Sequence, residues 1–193
     1  MTSIDPGLIP IFILYLFILA IIFTIKIIFL KSHTKNKIIT ALFTLYILLL
    51  VKVVICPIKF FRQENQQIFQ TLHINFSSYF QLIPFKTIID AFEKGIWIIQ
   101  VLGNIILLFP LPFFLDLLSK KQKSNTFFLV TGFLVCISIE GMQLLIDIIF
   151  IIRSHVFDID DIILNFLGII LGIFLLRKIQ SLKIYTRIKE IIR

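Results

Sequence analysis

The chain is poor in charged residues, cysteine, glycine and proline, and each shortage excludes a class of protein. Only 16% of its 193 residues are charged, against about 25% in soluble domains. Hydrophobic residues make up 59%, with a mean hydropathy of +1.03, which excludes an ordinary water-soluble fold. Two cysteines are too few for a disulfide framework, and seven glycines with six prolines exclude a collagen-like or linker-like sequence. The composition that remains is that of an integral membrane protein.

Long apolar runs account for the excess of hydrophobic residues, and a spanning helix needs about 20 such residues. A further segment, residues 60–95, is too apolar for a solvated linker and too interrupted to span, which predicts an interfacial or re-entrant element. The sequence therefore predicts an all-α integral membrane protein, a five-span transmembrane helix bundle with an outer interfacial loop. The five predicted spans are residues 8–30, 38–55, 96–118, 127–149 and 162–176.

The distribution of lysine and arginine predicts the orientation of the bundle. Most of the 19 basic residues lie after the first span, after the third span and in the tail beyond residue 176. Because cytoplasmic segments carry an excess of Lys and Arg, we expect the N-terminus outside and the C-terminus in the cytoplasm. The tail, residues 179–193, predicts a basic amphipathic helix on the anionic inner leaflet, although the same residues also fit a simple stop-transfer flank. Since the basic residues flank apolar runs, no nucleic-acid partner is expected.

Polar residues inside the spans are costly in lipid, so each is expected to have a partner or a function. They recur at helical spacing in the last three spans, which places them on single helix faces. In the predicted orientation these faces share the outer half of the bilayer and should turn toward one another. The predicted polar pocket consists of Asn104, Glu140, Gln143, Arg153, Asp158, Asp161 and Asn165.

This pocket has more than one interpretation. Its polar groups fit either interhelical hydrogen bonding or a functional site, and a carboxylate is a poor choice for hydrogen bonding alone. Gly168 and Gly172, four residues apart, predict close helix packing, while Pro110 and Pro112 predict a kink. No cofactor is expected. The acidic side chains near the start of the fifth span suit a divalent cation, but they also fit a helix start, where the helix dipole favours acidic residues. The candidate ligands for such a cation are His155, Asp158, Asp160 and Asp161.

Three motifs in order along the chain carry a resemblance to a known family. They are N-I-I-L-L-F-P at 104–110, S-I-E-G-M-Q at 138–143 and F-D-I-D-D-I-I-L-N-F-L-G-I-I-L-G at 157–172. With these motifs the chain resembles the VanZ-like family, although Pro112 stands where the family commonly has Gly, and Gln81 where it commonly has Asn. The resemblance implies a VanZ-like membrane domain at 38–178. A first span and basic cytoplasmic loop at 1–37 precede it, and the cytoplasmic tail at 179–193 follows.

The family's named member is linked to low-level teicoplanin resistance. The resemblance therefore implies a multi-pass protein of the bacterial cytoplasmic membrane, in a Gram-positive cell, that alters the envelope's response to lipoglycopeptides. Its partners would be the lipid bilayer and a lipid-linked cell-wall precursor or an acyl-tailed antibiotic, bound without catalysis. The alternative is a membrane-embedded, metal-dependent enzyme acting on a lipid or lipid-phosphate at the outer face, with Glu140 or Asp161 as acid or base. No motif of a nucleophilic, zinc-protease or phosphate-loop enzyme occurs in the sequence.

Overall fold

A computed structural model of the chain describes residues 36–55, 79–119, 121–150 and 155–192. This part of the chain is mostly helical, with one short pair of strands that the all-α prediction did not include. In chain order the elements are α1 (Asn36–Ile55), β1 (Phe80–Gln81), α2 (Lys86–Glu93), a π-helical turn (Ile98–Leu102), α3 (Gly103–Leu108), α4 (Leu111–Leu118), α5 (Asn125–Phe150), β2 (Phe157–Asp158), α6 (Ile159–Gln180) and α7 (Lys183–Ile192).

Three stretches of the described chain are helical, long and apolar enough to cross a membrane. They are Ile98–Leu118, Asn125–Ile148 and Ile159–Gln180, and they correspond to the predicted third, fourth and fifth spans. Where the second span was predicted, α1 contains a shorter apolar helix, Ile39–Lys52. The predicted first span, residues 8–30, lies outside the described residues. The helices thus indicate a membrane protein.

The first of these three spans is irregular, and its prolines explain the main interruption. Helix α3 ends at Leu108, Phe109 and Pro110 form a turn, and α4 begins at Leu111. The ring of Pro110 would clash with the carbonyl of the preceding turn if the helix continued through it. Pro112 lies in the first turn of α4, where a backbone N–H has no partner within the helix, so that proline is tolerated. The helix is therefore interrupted at Phe109 and Pro110, where a kink was predicted.

Helix α6 approaches α3 and α4 closely because glycines face them. A Cβ atom added at Gly168 would collide with the backbone carbonyl of Ile105, and one added at Gly172 would collide with that of Phe109. The Pro112 ring would lie only 3.3 Å from the Gly172 Cβ. Around this contact the apolar core gathers side chains from α3, α5, α6 and α7: Leu108, Phe128, Cys136, Ile139, Ile146, Ile169, Ile173, Leu176 and Tyr185.

The C-terminal helix α7 is held against the bundle by buried polar contacts. Asp116 in α4 is fully buried, and its Oδ2 accepts a hydrogen bond from the Tyr185 hydroxyl at 2.6 Å. Lys189 Nζ lies 2.6 Å from the same oxygen. Burial and the contact with Asp116 hold the pKa of Tyr185 above its usual value. The tail is helical, as predicted, but one of its faces contacts the protein, which the sequence did not indicate.

Candidate functional site

Two short strands pair the residues just before α2 with the residues just before α6. Strands β1 and β2 are parallel, with Phe80 opposite Phe157 and Gln81 opposite Asp158. The two phenylalanine rings are in contact, with centroids 5.8 Å apart. A two-residue strand is too short for its alternation to be visible in a sequence. The pairing brings the beginning of α2 next to the beginning of α6.

The turn between β1 and α2 is closed by Gln81. Its side-chain amide donates to the carbonyl oxygen of Ile83 at 2.7 Å and accepts from the Ile83 N–H at 3.1 Å. The turn ends at Phe85, which has a left-handed backbone conformation with φ of 66°. This conformation is unfavourable for a bulky residue and is seen where surrounding contacts enforce it.

The carboxylate of Asp160 fixes α2 in place. Its Oδ1 accepts from the N–H of Phe85 at 2.6 Å, and its Oδ2 accepts from the N–H groups of Thr87 at 2.8 Å and Ile88 at 3.3 Å. The first N–H groups of a helix have no partner within the helix, and the helix dipole favours a negative charge there. Asp160, predicted as a candidate cation ligand, thus caps a helix more than 70 residues earlier in the chain.

Asp158 links α2 to the interior of the bundle. As the N-cap of α6 it accepts from the N–H of Asp160 at 2.9 Å, and its Oδ2 accepts from the Thr87 hydroxyl. Its own N–H donates to Glu140 Oε2 at 3.2 Å. Burial raises the pKa of Asp158, although the hydrogen bonds from Thr87 and Asp160 favour its charged form. A chain of hydrogen bonds therefore runs from α2 through Asp158 to Glu140 in α5.

Polar side chains from three of the membrane-length stretches lie next to Asp158. Glu140 in α5 is 1% exposed, and its carboxylate is close enough to that of Asp161 for their charges to interact. Asn104 in α3 donates to Asp161 Oδ1. Asn165, one turn after Asp161 in α6, is also 1% exposed, and its side-chain oxygen has no hydrogen-bond partner in the described part of the chain. We call Asn104, Glu140, Asp158, Asp161 and Asn165 the polar cluster.

Asp147 and His155 form a separate pair near the end of α5. The fully buried Asp147 accepts from the His155 N–H at 2.7 Å, and its other carboxylate oxygen lies 3.3 Å from His155 Nδ1. This contact closes the connection between α5 and β2. Within the described ranges, no group of three or more His, Cys, Asp or Glu side chains is arranged to hold a metal ion.

The predicted pocket residues are thus distributed unevenly. The five residues of the polar cluster lie together, and Gln143 is half-buried nearly one turn after Glu140 in α5. Arg153 lies outside the described residues. The contacts of Thr87 and of the backbone N–H groups that surround Asp160 were not predicted. A hydroxyl and N–H groups at a helix start carry no distinctive sequence signal, and only the partner's position in the fold reveals them.

Polar side chains between three membrane-length helices indicate a helical membrane protein with an internal polar site. The comparison with family models then matches residues 43–182 to VanZ/LLP1, which is more than half of the chain and contains the whole polar cluster. The chain therefore belongs to the VanZ/LLP1 family, as its motifs predicted. The curated proteins and the solved structures that were compared gave no match.

Proposed function

We propose that this protein lowers the response of the bacterial cell envelope to lipoglycopeptides such as teicoplanin. It would do so by binding a lipid-linked cell-wall precursor or an acyl-tailed antibiotic at the polar cluster. The observation that carries the proposal is the burial of the Glu140 side chain, 1% exposed, between membrane-length helices and beside the half-buried Asp161. An acidic residue at the centre of a membrane helix costs about 2.5–3.5 kcal/mol on insertion scales, and an interhelical hydrogen bond returns on average about 0.6 kcal/mol. Packing alone therefore does not account for Glu140, which lies near the middle of α5.

The chemistry of the cluster indicates what kind of ligand it would take. Carboxylate oxygens of Glu140 and Asp161 are hydrogen-bond acceptors, and so is the side-chain oxygen of Asn165, which has no partner among the described residues. They suit the hydroxyl, amide N–H or ammonium groups that sugars and peptides of cell-wall precursors carry. A ligand with a donor-rich head group fits these acceptors.

We further propose the five-span topology in the cytoplasmic membrane, with the N-terminus outside and the C-terminus inside. The contacts of Arg177 support this orientation. Its guanidinium donates to Asn125 Oδ1 at 2.7 Å and to the carbonyl of Lys123 at 2.6 Å, so the end of α6 lies against the beginning of α5. Lys121, Lys123 and Lys178 belong to this same end, which is the basic side expected to face the cytoplasm. The polar cluster would then lie toward the outer leaflet.

The proposal is tested by drug susceptibility in a sensitive Gram-positive host. Cells would carry an empty vector, the wild-type chain or the Glu140→Gln variant, and teicoplanin would be tested beside vancomycin. The wild type is expected to raise the inhibitory concentration of teicoplanin more than that of vancomycin. The variant is expected to return it to the empty-vector level, because an amide replaces the carboxyl group that the ligand would meet.

Glu190→Gln is the matched control, since it removes a glutamate charge at an exposed position of α7. It should retain the wild-type effect. Membrane levels of all three chains would be compared by immunoblot. Equal shifts for the two drugs, no shift with the protein present in the membrane, or the same loss in both variants would overturn the proposal.

A further inference from the structure

Helix α2, outside the polar cluster, presents three chemically different faces. Thr87 and Ala91, four residues apart, point into the protein, where Thr87 contacts Asp158 and Ala91 is buried. A second face is apolar and yet open to the surroundings: Phe85, Ile89 and Phe92 are 58%, 55% and 56% exposed. Ile89 and Phe92, three residues apart, lie on one side of the helix, and Phe85 directly precedes its first residue.

The third face is charged and balanced in sign. Lys86, Glu93 and Lys94 are exposed, and Asp90 is half-buried. Lys94 Nζ lies 3.8 Å from Asp90 Oδ2, one turn away. Two basic and two acidic residues give this face no net charge, so it has no preference for an anionic surface. It does, however, require water, because four charged groups in hydrocarbon would be strongly unfavourable.

The apolar face continues directly into a membrane-length helix. Ile96, Trp97 and Ile98 follow α2 and are exposed, and the Trp97 ring stacks on Phe92 with centroids 5.5 Å apart and planes 10° from parallel. The membrane-length stretch Ile98–Leu118 begins directly after Trp97. Helix α2 therefore lies where a span ends, at the depth of the boundary between lipid and water. Tryptophan and other aromatic side chains are favoured at that depth.

We infer that α2 is an interfacial helix whose apolar face, Phe85, Ile89 and Phe92, binds the acyl region of the bilayer at the headgroup boundary. Its charged face meets water, and its third face is fastened to α6 through Asp160 and Asp158. Lipid is the partner of this face for two reasons. The exposed apolar surface continues into the membrane-length stretch, and the charged face on the same helix requires water. Association requires acyl chains and does not depend on anionic headgroups. This inference stands whether or not the polar cluster binds a ligand.

Trp97 provides the test without any change to the protein, because it is the only tryptophan in the chain. The full chain would be reconstituted into phosphatidylcholine vesicles that carry a nitroxide quencher either near the headgroup or deep in the acyl chain. The shallow quencher is expected to reduce Trp97 fluorescence more than the deep one, and aqueous iodide is expected to quench weakly. Replacing part of the phosphatidylcholine by an anionic lipid should leave these values unchanged.

Each opposite result overturns the inference. Strong quenching by iodide with little quenching by either lipid label would place the helix in water. Stronger quenching by the deep label would place it inside the hydrocarbon. If dilution of the protein in lipid turns weak lipid quenching into strong quenching, the face was covered by a second copy of the chain. A requirement for anionic lipid would show that charge, and not the apolar face, holds the helix.

A pair of variants separates the two exposed faces. Ile89→Glu puts a charge on the apolar face and is expected to reduce quenching by the shallow label and increase quenching by iodide. Glu93→Gln changes the charged face and is expected to leave both values as in the wild type. Because Ile89 is exposed, circular dichroism should show an unchanged helix content in both variants. Equal effects of the two substitutions would contradict the assignment of the apolar face to lipid.

Discussion

Asp160 and Asp161 are adjacent in the chain, but different groups surround their carboxylates. Asp160 is fully buried, and its charge is met by three backbone N–H groups at the start of α2. Asp161, the next residue, accepts a hydrogen bond from the side chain of Asn104 and lies near Glu140. The first arrangement fixes a helix, whereas the second leaves acceptor capacity beside another carboxylate. At the residue scale, therefore, Asp160 is expected to govern stability and Asp161 function.

The variant Asp160→Asn tests this division. An amide keeps one acceptor but turns an NH2 group toward N–H donors, and a buried donor without a partner costs about 1–3 kcal/mol. We expect a lower midpoint of thermal unfolding in detergent and faster proteolysis after Lys86 and Lys94, as α2 detaches. Asp90→Asn, which removes only the exposed pair with Lys94, should change neither value appreciably. The same loss of stability in both variants would show that Asp160 does not hold α2.

At the scale of elements, α7 is coupled to the bundle mainly through one fully buried carboxylate. Asp116 receives both the Tyr185 hydroxyl and the Lys189 ammonium on the same oxygen. Helix α7 follows the region matched by the VanZ/LLP1 model, which ends at residue 182. The contact therefore adds a C-terminal element to the family domain, at the end of the bundle opposite to Asp158.

Lys189→Gln is expected to release α7, because removing one partner of a buried ion pair costs about 3–5 kcal/mol. The released helix should be cleaved by trypsin at Lys183 and Arg187 well before the rest of the chain. Lys178→Gln removes a lysine charge from an exposed position near the end of α6 and serves as the matched control. If the control is cleaved as fast at Arg187 as the Lys189 variant, the contact with Asp116 does not hold α7.

The elements also show which parts of the structure a sequence can predict. Helices α5 and α6 begin and end within a few residues of their predicted spans, because long apolar runs carry a strong signal. The members of the polar cluster were predictable because polar side chains are rare in such runs. The pairing of β1 with β2 was not predictable, since each strand has two residues and their partners lie far apart in the chain. For the same reason the hydrogen bonds that Asp160 accepts from the start of α2 were not predictable, since their donors lie more than 70 residues earlier in the chain.

At the scale of the whole molecule, the polar and basic groups lie at opposite ends of the bundle. Asp158 and Thr87 lie at the end where α2 joins α6, and Arg177 contacts Lys123 at the other end. A bundle with this asymmetry has a preferred direction in the membrane, because Lys and Arg are retained on the cytoplasmic side. The position of α2 on one surface and α7 on the other follows from the same asymmetry.

Cysteine labelling in intact cells tests the proposed orientation. The two native cysteines would be replaced by Cys56→Ser and Cys136→Ala, and a single cysteine would then be introduced at Glu93 in α2 or at Lys183 in α7, both exposed. A membrane-impermeant maleimide is expected to label the Glu93 variant in intact cells and the Lys183 variant only after permeabilisation. The opposite pattern would place the polar cluster toward the cytoplasm, where a ligand in the outer leaflet does not reach it. Labelling of both positions in intact cells would contradict the assignment of α2 and α7 to opposite surfaces.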